Sequence, residues 1–272
     1  MKIKLFFLLM ILLYPFQLWA QTASTDSLKI TERGYSFRPS QLILPASLIT
    51  VGALGVANPW LRSLNREVRD DIAGWRNGRY FHADDYIQYV PVIANFGLSL
   101  LGAKAKHSYV DRVLITATSY AAMGIMVNAV KWAVDEQRPD GTAFNSFPSG
   151  HTATVFMGAE LVRMEYKDSS PLYGIGAYTI ACGVAFLRLY NERHWCNDVL
   201  AGAGIGILSA RIGYWLLPFE KKLFGLDKKK SRVNLAASPY YLCAIPPLSQ
   251  VVHLPSSRNV LELLQVLLLQ RR

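Results

Sequence analysis

The chain has 272 residues, 51% of them hydrophobic and 18% charged, with a formal net charge of +10. The length suits one or two domains. The charge does not point to nucleic acid, because many of the cations cluster in short segments between apolar runs and no nucleic-acid motif accompanies them. Cys182, Cys196 and Cys243 form an odd set without a CxxC spacing, which suggests neither a disulfide framework nor a zinc site.

In chain order, residues 1–20 read as a signal peptide or signal anchor. Lys2 and Lys4 precede the apolar run Leu5 to Leu13, and Trp19-Ala20 stand where cleavage would follow. Residues 21–85 form an N-terminal segment with one apolar helix over 41–57 and a polar loop. Within it, residues 58–85 carry Arg62, Arg66, Arg69, Arg76 and Arg79 among acids and aromatics, an amphipathic or loop segment. Further apolar stretches follow at 86–102, 113–130, 152–162, 172–187 and 199–217. They are rich in Gly, Ala, Ile and Leu and bounded by charge, which predicts helices. The fold class expected is therefore all-α, a membrane-embedded bundle of about five to six apolar helices, with 86–219 as its catalytic part. Gly202 and Gly206 form a small-xxx-small pair suited to close helix packing. Residues 220–272 are a basic segment and a tail without an assigned role.

Charge counting orients the bundle. The segments 103–112 (Lys104, Lys106, Arg112), 163–171 (Arg163, Lys167) and 219–232 (Lys221, Lys222, Lys228, Lys229, Lys230, Arg232) share one side if the last five apolar stretches each cross. The positive-inside rule puts that side in the cytoplasm.

Three short blocks fall on the other side: KWAVDEQRP from Lys131 to Pro139, PSGH from Pro148 to His151, and RLYNERHWCND from Arg188 to Asp198. Lys131, Arg138 and Arg188 are three permanent cations able to hold phosphate oxygens, and the planar fork of arginine can engage two of them at once. Ser149 can cap a helix beginning near His151, whose first-turn amides would face an anion, and Gly150 lets backbone approach a ligand. His194 and Asp198 are four apart, so on a helix they share a face. Asp198 can then hold one imidazole nitrogen and leave the other free to attack phosphorus.

In order and spacing these blocks resemble the signature of the type 2 phosphatidic acid phosphatases (PAP2), whose superfamily includes class A acid phosphatases and vanadium haloperoxidases. The resemblance runs from about Val113 to Pro218. One departure is Leu187, where the family usually has serine before the third-block arginine. The resemblance implies a metal-independent phosphatase without cofactor. His194 would be the nucleophile, Asp198 its orienting carboxylate, and His151 the proton donor to the leaving oxygen. Lys131, Arg138, Ser149, Gly150 and Arg188 would bind the phosphate. The expected partner is a phosphorylated lipid (a lipid A phosphate, undecaprenyl pyrophosphate or phosphatidylglycerol phosphate) in a bacterial-type inner membrane, with the site facing the periplasm. The alternatives are a soluble periplasmic acid phosphatase, a vanadium haloperoxidase and an inactive membrane scaffold.

Overall fold

The computed structural model describes residues 37–226. The signal-like residues 1–20 and the tail from 227 lie outside them. Among the described residues there are eight helices and no strand. They are α1 (Ser40–Ala57), α2 (Pro59–Arg76), α3 (Asp84–Ile87), α4 (Val90–Leu100), α5 (Tyr109–Ala133), α6 (Gly150–Tyr166), α7 (Pro171–Tyr190) and α8 (Cys196–Leu223).

Local chemistry sets the boundaries. The Asn58 side chain accepts from the amides of Trp60 and Leu61, and Pro59 supplies a preset φ, so α2 begins one residue after α1 ends. Ser108, Ser149 and Ser170 cap α5, α6 and α7 with side-chain oxygens. Asn77 takes the left-handed conformation (φ 49°) that closes α2.

Among the described residues four helices are long and apolar enough to cross a membrane: α1, α5, α7 and α8. That is fewer than the five to six expected, for two reasons. The 86–102 run breaks around Gln88-Tyr89 into α3 and the 11-residue α4. At 1.5 Å per residue α4 is about 16 Å long, half of a hydrocarbon core. The 152–162 run belongs to the 17-residue α6, which also carries Glu160, Arg163 and Glu165.

α8 lies at the centre, packed by α1, α5 and α6, while α6 is covered in turn by α7 and α4. Small residues permit this. A Cβ on Gly206 would stand 2.3 Å from the Ala153 carbonyl oxygen, and one on Gly202 2.5 Å from that of Ser149. α6 and α8 are therefore in backbone contact along the seam that leads to the PSGH turn. The charges inside α6 are internal ties. Glu160 accepts from Arg163 (2.6 Å), Arg211 (2.8 Å) and Tyr178 (2.7 Å). Glu165 receives the Tyr214 hydroxyl at 2.8 Å, and Arg112 donates to Tyr166 at 2.9 Å. Paired and hydrogen-bonded in this way, the buried charges satisfy the condition under which burial is tolerated.

Candidate active site

The three sequence blocks meet at one end of the bundle. The first forms the end of α5 and the loop behind it, the second the start of α6, and the third the end of α7 and the start of α8. Backbone contacts bind the blocks together. The Ser149 amide donates to the Asp198 carbonyl at 3.1 Å, and the Ser146 amide to the Glu136 carbonyl at 2.9 Å. The Trp195 indole donates to the Gln137 carbonyl at 2.8 Å.

His194 is 3% exposed and its Nδ1 stands 3.4 Å from Asp198 Oδ2. The two residues do not share a helix, contrary to the spacing argument, because α8 starts only at Cys196. Asp198 is instead the third residue of α8 and folds back to accept the Trp195 amide at 2.8 Å. That turn aims the carboxylate at His194. The Ser146 hydroxyl holds the same oxygen at 2.5 Å. Burial pushes the His194 imidazole well below its ordinary range, and the cations of Arg188, Lys131 and Arg138 push it further. The three cations of the first and third blocks thus act on one buried imidazole and disfavour its charged form.

Lys131 lies in the last turn of α5 and donates to the Asn145 carbonyl. Arg138 is anchored through its backbone amide to the Ala143 carbonyl at 2.9 Å, with its buried Nε unpartnered. Arg188 is 4% exposed, and its Nη1 donates to Asp84 Oδ2 at 2.6 Å. Its Nε is also buried without a partner. Such orphaned guanidinium hydrogens are a reserve of donors for an anion. The Ser149 oxygen caps α6, and the Gly150 position is open, with only a Val127 methyl 4.0 Å from where a Cβ would be. His151 Nε2 stands 2.9 Å from Asp85 Oδ1. Burial and Arg188 lower the His151 pKa, against the opposing pull of Asp85.

Three acids belong to this site that the sequence reading did not assign to it. Asp84 and Asp85 come from α3, more than a hundred residues before Arg188, so no local spacing could connect them. Glu136 stands within the first block and had a visible signal, two residues before Arg138. It accepts from Asn197 Nδ2 at 3.2 Å and lies within hydrogen-bonding reach of Asp198. Burial and the Asp198 charge push Glu136 up to about 8. Glu136 thus faces Asp198, whose Oδ1 is buried without a hydrogen-bond partner.

Residues 112–222, which contain all three blocks, match the family model of the PAP2 superfamily. That region is the PAP2 part of the chain. A lipid A 1-phosphatase of Porphyromonas gingivalis is 36% identical to it over 227 residues, covering 78% of this chain and 50% of that protein. The bacitracin transport permease protein BcrC of Bacillus licheniformis is 35% identical over 74 residues, 27% of this chain and 34% of that protein. The chain thus spans half the length of the first relative and a third of the second. A transmembrane PAP2-type phosphatidylglycerolphosphate phosphatase from Bacillus subtilis is 20% identical, covering 70% of this chain and 99% of that one, with a TM-score of 0.45. Aquifex aeolicus LpxE is also 20% identical, covering 53% and 92%, with a TM-score of 0.40. In this chain, α1 to α4 precede the PAP2-matched region, yet α3 supplies Asp84 and Asp85 to the site.

Proposed function

We propose that the protein is a membrane-bound phosphatase that hydrolyses a phosphate ester of a lipid through a phosphohistidine. The observation that carries this reading is the convergence of Lys131, Arg138 and Arg188 on one neutral, carboxylate-backed imidazole, with a second histidine at the same end.

In the first step His194 Nε2 attacks phosphorus while Asp198 holds Nδ1. The P–O bond to the lipid breaks, and His151 gives its proton to the departing oxygen. The three cations bind the non-bridging oxygens, and their hold tightens as charge develops on them. His151 gains its proton with the substrate, since phosphate charge beside it favours the imidazolium. In the second step His151 takes a proton from water, the water oxygen attacks phosphorus, and the P–N bond breaks. Inorganic phosphate leaves and His194 returns to its neutral form.

The lipid nature of the substrate is supported by the four long apolar helices and by the likeness to the Porphyromonas gingivalis lipid A 1-phosphatase. A lipid A phosphate, undecaprenyl pyrophosphate and phosphatidylglycerol phosphate are the candidates. The site is proposed to open to the periplasm, the basic end of the bundle lying in the cytoplasm.

The test is phosphate release by the purified protein from a panel of lipid and soluble phosphates, together with trapping of the phosphoenzyme. Wild type is expected to release phosphate from at least one lipid and to give an acid-labile phosphoenzyme. His194→Ala should lower turnover by more than about a thousandfold and give no trapped species. A mutant that keeps more than a few per cent of the rate would remove the covalent role.

A further inference from the structure

Helix α2 has two unlike flanks. Asn65, Val68, Ile72 and Arg76 face inward and are buried. Arg62, Arg66 and Arg69, at i, i+4 and i+7, line one side of that strip. Glu67, Asp70 and Asp71 fall on the outer side, away from it.

The helix is held firmly against the site. Asn65 Nδ2 donates to Asn197 Oδ1 at 2.7 Å, and Asn197 is the residue before Asp198. Arg76 donates to the Tyr190 carbonyl and to Glu192, both at 2.9 Å. The arginine flank consequently meets the first and third sequence blocks. The Arg69 guanidinium lies 5.7 Å from the ring centre of Trp195, next to His194, and Arg69 and His194 line the same small cavity. Arg62 donates to the Val56 carbonyl at 2.6 Å and acts electrostatically on Glu136. Arg66, between them, is exposed and makes no ion pair or hydrogen bond to another described side chain. Arg69 is engaged by Asp70 at 2.6 Å, but that carboxylate is 64% exposed. An exposed pair of adjacent residues is worth little and gives way to a stronger anion.

We propose that Arg62, Arg66 and Arg69 form a second anion subsite, which binds a further phosphoryl group on a lipid substrate that carries two. The inference rests on the phosphatase reading of the site and deepens it. Lys131, Arg138 and Arg188 are committed to the phosphoryl group under attack. A second phosphoryl group leaves that trio with one charge centre too many to neutralise, and the α2 row, whose Arg69 lines a cavity with His194 and Trp195, supplies the matching charge nearby. Guanidinium groups suit this because each offers a paired-donor edge to phosphate. The subsite favours diphosphorylated over monophosphorylated lipids.

The test uses the full chain in neutral detergent micelles and the triple variant Arg62→Gln, Arg66→Gln, Arg69→Gln. With phosphatidylglycerol phosphate and phosphatidic acid as substrates, the ratio of their kcat/KM values should fall by at least about tenfold, chiefly through KM of the former. A second readout needs no turnover. Calorimetry in the His194→Ala background should show pyrophosphate losing at least about tenfold in affinity relative to inorganic phosphate when the row is neutralised. Arg66→Gln alone, which breaks no contact of the fold, should show part of both effects. An unchanged pyrophosphate-to-phosphate ratio would overturn the subsite. So would a loss that strikes both lipids alike and only in vesicles containing phosphatidylglycerol, which would assign the row to the membrane surface. If wild type releases phosphate from neither lipid, the pyrophosphate measurement still decides the subsite, while the catalytic reading stands or falls on the full lipid panel.

Discussion

Asp85 stands between two groups of the site, 2.9 Å from His151 and 3.5 Å from Arg188, and is half exposed. Its carboxylate does for His151 what Asp198 does for His194: it favours the positively charged ring. Asp85→Asn removes that charge while keeping the shape, so the His151 pKa in the free enzyme should fall further below its already lowered position. The donor role needs His151 protonated, which it is below its pKa and not above. The alkaline limb of the kcat/KM profile should therefore move to lower pH in the variant, and a limb that does not move would dissociate Asp85 from proton donation. The acid limb belongs to His194, which must be unprotonated. Because burial and three cations hold its pKa well below 6.5, that limb should lie well on the acid side of an ordinary histidine. At this scale the sequence was informative where chemistry is local. Lys131, Arg138, Ser149, Arg188, His194 and Asp198 come together at one end of the bundle, although His194 and Asp198 meet through a turn and not on one helix face. Asp84 and Asp85 were not legible, since only tertiary packing brings α3 to the end of α7. Glu136 was overlooked for a different reason: a glutamate in a loop looks solvated until a neighbouring carboxylate is known.

At the scale of elements, the seam between α6 and α8 decides where the phosphate-binding turn sits. The pair Gly202 and Gly206 was legible from spacing alone, and its consequence is that α8 backs directly onto the first turn and a half of α6. Gly206→Ala would bring a methyl group 2.3 Å from the Ala153 carbonyl oxygen and 2.8 Å from the Met157 amide nitrogen, both backbone atoms with no rotamer to yield. Overpacking of this kind costs about 1–3 kcal/mol. Gly183 of α7 has open space at its Cβ position, so Gly183→Ala should gain about 1 kcal/mol from helix propensity alone. Thermal unfolding in one detergent should thus rank the three proteins as Gly183→Ala, wild type, Gly206→Ala. The opposite order would mean that the seam is not in backbone contact. Helix lengths were less legible than helix existence. The 86–102 stretch reads as one apolar run, but the chain breaks near Gln88, where the buried Gln88 donates to the Asp85 carbonyl at 2.8 Å. That break is what lets α3 point its two acids into the site.

On the scale of the molecule, the two ends of the bundle differ in how their charges are used. The basic segments share one end: Lys221 pairs with Asp111 at 3.1 Å, and the Lys106 amide donates to the Glu165 carbonyl at 3.1 Å. Two of the cations counted there from sequence are structural, because Arg112 is 2% exposed and Arg163 is bound to Glu160. Removing them from the count leaves Lys104, Lys106, Lys167, Lys221 and Lys222 at this end. At the opposite end Lys131, Arg138 and Arg188 surround His194, and Arg193 pairs with Asp140 at 3.1 Å. The arginines of α2 are offset by Glu67, Asp70 and Asp71 on the same helix. Positive charge that is not tied to the site thus concentrates at the end away from it, which is the basis for proposing a periplasmic opening. Two exposed positions test this in a cysteine-free background, Asn145 beside the site and Ser169 in the turn between α6 and α7. Asn145→Cys should react with a membrane-impermeant maleimide added to intact cells whose outer membrane has been made permeable. Ser169→Cys should stay unlabelled until the inner membrane is opened. The reverse pattern would place the site in the cytoplasm, and any lipid whose phosphate is exposed only on the periplasmic leaflet would then be out of its reach.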